Sequence, residues 1–300
     1  MINRAQTIIN LQSATDLLTE DLIIILGPTA SGKTKLAVEL AKLIDAEIIS
    51  VDSRQVYRGM DIGTGKDLAD YEGINYHLID IIDAGEKYNI SRFLADFEVA
   101  YQDIISRGKK VIACGGTGFY LEALLATKAY TQVPKDELLR ESLKDLDKDS
   151  LCVTLDRYAI PPTFVIDRSS KKRIIRAIEI LNYLKAHPLH TLKVYPTYTA
   201  LVVGINPSNE DRRTQISDRL FQRLSAGLME EVRSLVANGV SYVSLEYYGL
   251  EYKYISYYLQ GQMTYDAFTT KLETEIHRYA KRQMTYFRKM EKDGIFIHWL

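Results

Sequence analysis

Five consecutive apolar residues, Leu22-Ile23-Ile24-Ile25-Leu26, stand between Asp21 and Gly27. A continuous apolar run of this length predicts a strand covered on both faces. From Lys33 the period changes, and Leu36, Leu40 and Leu43 recur at helical spacing with Ala37, Ala41 and Ile44 beside them. Glu47–Val51 and His77–Ile82 read as further strands. Ile90–Ser106 reads as a helix with Phe93, Phe97, Ala100, Tyr101 and Ile104 on one stripe. Val111-Ile112-Ala113 is again a strand, followed by Gly115-Gly116-Thr117-Gly118 and a helix from Phe119. Strands alternating with helices predict a parallel sheet flanked by helices. Ligands of such sheets bind at the carboxyl ends of the strands. The loops after Leu26, Val51 and Ala113 should therefore meet at one edge.

The rhythm breaks near Lys128. Residues 128–193 are polar and helix-rich, with breaks at Pro134, Pro161-Pro162 and Pro188, and read as a helical insertion. The sheet core is then expected over 21–127 and 194–300. Ala200–Ile205 returns as a strand. The helices expected after it are Glu210–Ala226, Met229–Ala237, Glu251–Gln260 and Tyr265–Met290, and Ile295–Trp299 is a closing strand. Residues 1–20 read as a short, partly helical extension with no assigned function.

The turn between the first strand and helix is Gly27-Pro28-Thr29-Ala30-Ser31-Gly32-Lys33-Thr34, which fits the P-loop pattern G-x-x-x-x-G-K-[ST]. Backbone amides of such a loop form an anion nest, and the helix N-terminus adds partial positive charge. Lys33 would reach the outer phosphates and the Thr34 hydroxyl would ligate Mg²⁺. The expectation is a bound di- or triphosphate. After the second strand come Asp52-Ser53-Arg54-Gln55 and then Gly59-Met60-Asp61-Ile62-Gly63-Thr64-Gly65-Lys66. A carboxylate such as Asp52 at a strand's end can hold Mg²⁺ through water or take a proton from a nucleophile. It can equally cap a loop or helix. Ser53 and Gln55 suit a base edge, or solvent.

Bulk properties exclude more than they assign. At 46% hydrophobic and 26% charged residues, the chain matches a globular domain with no membrane-length apolar run. Cys114 and Cys152 form no C-x-x-C, which fits a reducing cytoplasm, and the five histidines show no metal spacing. No signal peptide is read in Met1–Glu20, and a monomer is expected because no self-association feature is evident. The net charge of −1 announces no nucleic-acid partner. Charge is nevertheless clustered, over Arg168–Arg176 and over Arg278, Lys281, Arg282, Arg288 and Lys289, among an unusual 21 tyrosines. Cations beside stacking rings suit RNA, although amphipathic helices with buried tyrosines would look the same.

These segments together resemble the tRNA dimethylallyltransferase (tRNA isopentenyltransferase) family. The resemblance rests on G-P-T-A-S-G-K-T at Gly27–Thr34, I-S-V-D-S-R-Q-V-Y-R-G-M-D-I-G-T-G-K at Ile49–Lys66 and G-G-T-G-F-Y at Gly115–Tyr120. It continues through R-I-I-R-A-I-E at Arg173–Glu179, G-L-M-E-E-V-R at Gly227–Arg233 and Y-A-K-R-Q-M-T-Y-F-R at Tyr279–Arg288. It implies a P-loop NTPase-like sheet with a helical insertion. It also implies transfer of a dimethylallyl group from dimethylallyl diphosphate to N6 of the adenosine 3′ to the anticodon, in tRNAs reading U-starting codons. The implied partner is the tRNA anticodon stem-loop. By the same resemblance, Gly27, Pro28, Thr29, Ala30, Ser31, Gly32, Lys33 and Thr34 hold the diphosphate with Mg²⁺, helped by Arg233. Asp52 would be the general base and Thr117 would lie in the reaction channel. Asp52, Ser53, Arg54 and Gln55 would contact the flipped base, while Arg140 and Lys172-Arg173-Ile174-Ile175-Arg176 would contact tRNA.

The chain departs from the family pattern at Ile166-Asp167-Arg168-Ser169-Ser170, at Gly249-Leu250-Glu251-Tyr252-Lys253 and at Thr285-Tyr286-Phe287-Arg288. These bear on tRNA grip. The match is to the shorter bacterial form, without a C-terminal zinc finger. Three other readings share the phosphate site: a P-loop kinase, a prenyltransferase acting on free AMP or ADP, and an RNA-binding protein without turnover. The basic insertion argues against the first two, and the intact Gly32-Lys33-Thr34 with Asp52 against the third.

Overall fold

A computed structural model describes residues 7–8, 21–162 and 164–300. Apart from residues 7 and 8, the extension expected over 1–20 lies outside the described residues. The chain divides into two compact units, one of the described residues up to Ala126 with Pro196–Leu300, the other Thr127–Tyr195.

The first unit is built on a six-stranded, wholly parallel sheet in the order β3-β2-β4-β1-β5-β6. Its strands are β1 (Leu22–Leu26), β2 (Ala46–Val51), β3 (Tyr76–His77), β4 (Lys110–Gly115), β5 (Ala200–Gly204) and β6 (His298–Trp299). The central strands β1, β2 and β4 are buried almost throughout, as continuous apolar runs require. Register decides where the site forms. Leu26 lies beside Gly115, and Gly115 beside Val51. Three strands therefore end level, and the loops that follow them open at one edge.

Helix α1 (Lys33–Ile44) leaves the P-loop, and α2 (Ile90–Ser106) and α3 (Gly118–Leu125) follow their strands. The Asn89 side chain caps α2 by accepting from the Arg92 amide at 3.1 Å. The stripe of Phe93, Phe97, Ala100, Tyr101 and Ile104 is buried as its spacing predicts. Phe97 packs against Phe93 and Tyr198 with ring centroids 5.7 and 5.5 Å away. Phe97→Ala should lower unfolding free energy by about 3–5 kcal/mol. Urea unfolding measures this, and diphosphate affinity of the folded variant should stay at the wild-type value.

The C-terminal part is helical: α7 (Asn209–Ser225), α8 (Leu228–Ala237), α9 (Tyr242–Tyr248), α10 (Leu250–Leu259) and α11 (Tyr265–Lys292). Helix α9 was not legible in the apolar pattern. Its seven residues are too few to show a period, and only Leu245 and Tyr248 are buried. The strand expected over His77–Ile82 is reduced to Tyr76–His77, because Leu78 and Asp80 take positive φ (61° and 56°), which breaks an extended run. The closing strand likewise shortens to His298–Trp299.

The second unit packs α4 (Glu137–Leu143), α5 (Lys148–Leu155) and α6 (Lys171–Ala186) around Leu143, Leu151, Leu155, Ile174 and Ile178. Among the described residues no helix is long and apolar enough to cross a membrane.

Candidate active site

A cleft of about 1190 Å³ opens at the carboxyl edge of the sheet, lined by Thr29–Thr34, Asp52–Gln55 and Gly115–Gly116. The segment Asp61–Tyr71 and helices α7, α9, α10 and α11 supply its other walls. Within the P-loop, Ala30 and Gly32 take positive φ (59° and 80°), the alternation that turns successive amides toward a bound anion. Gly32 is needed there, since a side chain at that φ is strained. Lys33 Nζ donates to the Pro28 carbonyl at 2.7 Å. As a whole residue Lys33 is half-buried, but its ammonium end is densely surrounded. Burial lowers its pKa to about 8, and nearby Arg219 pushes the same way against Cys114 and Asp52.

That pKa gives a signed prediction. An anion binds the ammonium form, so affinity for a diphosphate is level below pH 8 and falls as free protein deprotonates above it. The slope approaches about tenfold per pH unit at most. Calorimetric titration across about pH 7 to 9.5 reads this, and Lys33→Met should flatten the profile.

Asp52 leaves the end of β2, and its Oδ1 accepts from the Arg54 amide at 2.8 Å. This local turn holds the carboxylate in the cleft lining. Ser53 N donates to Thr117 Oγ1 at 3.3 Å, so the Thr117 hydroxyl stands beside the Asp52 turn. Thr117 itself is not part of the cleft wall, and neither are Gly27 and Pro28. Gln55 is held at both ends, its Oε1 accepting from Ser50 at 2.7 Å and its Nε2 donating to Gly65 O at 2.9 Å. The Arg54 guanidinium lies over the Tyr247 ring at 4.4 Å.

Arg219 and Arg223 on α7, Lys253 on α10 and Arg282 on α11 bring positive charge to the cleft lining, and Arg233 does not. Arg233 sits on α8 with its side chain 55% exposed, pairs with Glu230 at 2.9 Å and does not reach the cleft. Arg219 and Arg223, one helical turn apart on α7, line it instead. Arg219 pairs with Asp67 at 2.7 Å. Arg223 is only 12% exposed and has Asp67 at 3.6 Å and Glu251 at 3.8 Å, both beyond hydrogen-bond reach. Among the described residues, the buried side-chain polar atoms lacking a hydrogen bond are Ser31 Oγ and Arg223 Nε and Nη2. All three can donate, all belong to residues lining this cleft, and buried donors rarely stay unpaired. An acceptor-rich anion is one chemistry that these donors would suit. Gly65 makes room for the Arg223 guanidinium, because a Cβ there would stand 1.6 Å from its Nη2.

Gln283 on α11 ties the site together: its Oε1 accepts from Thr29 N at 2.8 Å and its Nε2 donates to Gly116 O at 2.9 Å. Cys114 also lines the cleft, and burial pushes its thiol up to about 11, which disfavours the nucleophilic thiolate. The departure at Gly249–Lys253 is built into the site. Glu251 faces Arg223 from the cleft wall, with burial raising its pKa, and the Tyr252 hydroxyl donates to Glu231.

In the second unit the residues marked as RNA contacts separate. Lys172 and Arg173 are exposed near the start of α6, Arg173 pairing with Asp167, and Ile175 is partly buried. Ile174 is fully buried in that unit's core, so its side chain cannot meet RNA. Arg140 grips the buried Glu179 with Nε and Nη2 at 2.6 and 2.7 Å. Arg176 reaches Glu179 at 3.4 Å and the Val133 carbonyl at 2.6 Å. These two arginines hold the unit together from within.

Comparison with known proteins places the chain. A family model described as IPP transferase matches residues 55–290, and one described as isopentenyl transferase matches residues 20–77. A tRNA dimethylallyltransferase of Porphyromonas gingivalis is 48% identical, with 93% of each chain covered. One of Bacteroides fragilis is 49% identical over 93% of this chain and 92% of its own. The crystal structure of a tRNA isopentenylpyrophosphate transferase from Staphylococcus epidermidis superposes with a TM-score of 0.64 at 35% identity, covering 93% of this chain and 92% of that one. A eukaryotic dimethylallyltransferase acting on tRNA, at 22% identity and a TM-score of 0.72, shares the fold. The P-loop sheet, the cleft at its carboxyl edge and these relatives lead to one assignment: the chain belongs to the tRNA dimethylallyltransferase family of prenyltransferases.

Proposed function

We infer that the chain transfers the dimethylallyl group of dimethylallyl diphosphate to N6 of the adenosine 3′-adjacent to the anticodon, in tRNAs reading U-starting codons. The observation that carries this reading is the pairing, in one cleft, of unpartnered buried donors on Ser31 and Arg223 with the Asp52 carboxylate. The donors suit a leaving diphosphate, and the carboxylate suits an acceptor that must lose a proton. A tRNA substrate is supported by the relatives named for it.

The diphosphate lies on the P-loop amides between Lys33 and the α7 arginines. The N6 lone pair of the flipped adenine attacks C1 of the prenyl group. The C1–O bond breaks, and its electron pair leaves with the diphosphate. The N6 proton passes to Asp52. An exocyclic amine is a weak nucleophile because its lone pair is delocalised into the ring, so the base contributes about 10²–10⁴-fold. Charge developing on the diphosphate meets donors already aimed at it. Arg219 and Arg223 fill the role first assigned to Arg233. The donor set also fits Mg²⁺ arriving with its ligand. Thr34 lines the cleft, while no three His, Cys, Asp or Glu among the described residues form a cage, and Mg²⁺ commonly takes one or two protein ligands plus phosphate oxygens. There it would neutralise charge on the leaving group.

Bringing the base to the prenyl group requires it to leave the anticodon-loop stack. Arg54, stacked on Tyr247 at the cleft, suits contact with that base. Lys172 and Arg173 suit phosphates of the stem-loop.

Purified protein with labelled dimethylallyl diphosphate and Mg²⁺ tests the reading against unmodified tRNA, AMP and ADP as acceptors. Label in tRNA alone is expected. Label in AMP or ADP alone would transfer the function to free adenylates. Diphosphate binding with no label anywhere would remove the prenyl-transfer reading.

A further inference from the structure

In the loop Gly59–Lys66, residues Asp61–Lys66 form one wall of the cleft, and a set of bonds fixes the loop from behind. Glu231 on α8 turns its carboxylate into three successive loop amides. Its Oε2 accepts from Asp61 N at 2.8 Å and Ile62 N at 2.7 Å, and its Oε1 from Gly63 N at 3.0 Å. The Tyr252 hydroxyl completes the set, donating to Oε1 at 2.7 Å. The phenol end of Tyr252 presses against the loop, for a Cβ on Gly63 would stand 2.5 Å from its ring. At the loop's far end the Lys66 side chain is completely buried, with Asp61 at 2.6 Å, the Tyr57 carbonyl at 2.7 Å and Asp80 also bound.

The front of the same loop touches the chemistry. Gly65 O receives Gln55 Nε2, and the Gly65 α-carbon is the surface on which the Arg223 guanidinium rests. A loop shift of a few tenths of an ångström at Gly63 would carry both groups with it, because Gly65 is two residues away and tied back by its amide to Ile62 O at 3.2 Å.

We propose that Glu231, with Tyr252, is a positioning residue for prenyl transfer: it fixes the Gly59–Lys66 loop so that Arg223 meets the diphosphate and Gln55 keeps its orientation. Glu231 is not part of the cleft wall and acts only through the loop. The inference rests on the assignment of Arg223 to the diphosphate. A carboxylate is required because only an acceptor-only group takes all these donors, and an amide at this position turns one donor toward another.

The test is a double-variant cycle on the full chain, read as the Kd for dimethylallyl diphosphate and as KM and kcat with tRNA. Glu231→Gln should weaken diphosphate binding about tenfold, the effect of losing a charged hydrogen-bond partner. Tyr252→Phe should act in the same direction by about threefold, and it carries the cycle if Glu231→Gln does not fold. Because the route runs through Arg223, adding Glu231→Gln to Arg223→Ala should weaken binding little further. A lowered melting temperature with unchanged Kd on the folded protein would overturn the proposal, as would losses that multiply in the double variant. Arg223→Ala with wild-type Kd would instead overturn the diphosphate assignment, and with it the route through Arg223.

Discussion

Asp52→Asn should lower kcat by about 10²–10⁴-fold and leave the Kd for dimethylallyl diphosphate near the wild-type value. The substitution is chosen for its geometry. Asn keeps an oxygen that accepts from the Arg54 amide, as Asp52 Oδ1 does at 2.8 Å, so the turn after β2 survives. What it removes is the capacity to take a proton. A proton is transferred only as the new C–N bond forms, so kcat and kcat/KM for tRNA should fall together, the pattern of an interaction made in the transition state. Asp52 shares the cleft with the diphosphate-binding cations, and removing its negative charge should if anything favour the anion slightly. Single-turnover transfer measures the loss. A fall in diphosphate affinity with unchanged single-turnover rate would contradict the assignment of Asp52 as base and point to a metal-binding role.

Arg223→Ala carries the second large effect. The guanidinium is largely buried, its Nε and Nη2 have no hydrogen-bond partner, and burial lowers its pKa. Such a group is held at a cost that a bound anion relieves. Truncating one side of a buried charge pair costs about 2–5 kcal/mol. The Kd for dimethylallyl diphosphate should therefore rise roughly 30- to several-thousand-fold. Arg223→Lys should recover only part, because an ammonium cannot present a planar fork to two oxygens. Arg233→Ala is the internal control. Its side chain is exposed and paired with Glu230, so the Kd should stay at the wild-type value. Calorimetry on the three variants decides which arginine serves the diphosphate.

The difference between these two arginines shows what was legible in sequence. The β1–P-loop–α1 unit is local: an apolar strand, a glycine turn and a helical stripe stand in consecutive residues, and each needs only its neighbours. Asp52 is legible for the same reason, since a residue at the carboxyl end of a buried strand faces the ligand edge in any parallel sheet. Arg219 and Arg223 belong to another class. On α7 they flank the buried Ile216 and Leu220 and look like a solvated face, one turn apart among other charges. Only the packing of α7 over Gly65 makes that face a cleft wall. Glu231 was equally hidden, because a loop from residues 61–63 supplies its partners across 170 positions of chain. Gln283 joins two loops in the same nonlocal way. In the insertion, the basic run over Arg168–Arg176 left RNA contact and a solvated helix face both open, and the family resemblance added Arg140 and Lys172–Arg176 as tRNA contacts. Buried Glu179 divides this set, drawing Arg140 and Arg176 inward and leaving Lys172 and Arg173 outside.

The most direct measurement is the site of modification. Unmodified tRNA reading U-starting codons is incubated with the protein, dimethylallyl diphosphate and Mg²⁺, then digested with nucleases and its fragments sequenced by mass spectrometry. The account predicts one added dimethylallyl group, on the adenosine 3′-adjacent to the anticodon, and none with Asp52→Asn. A dimethylallyl group at another nucleotide, or full modification by Asp52→Asn, would contradict it.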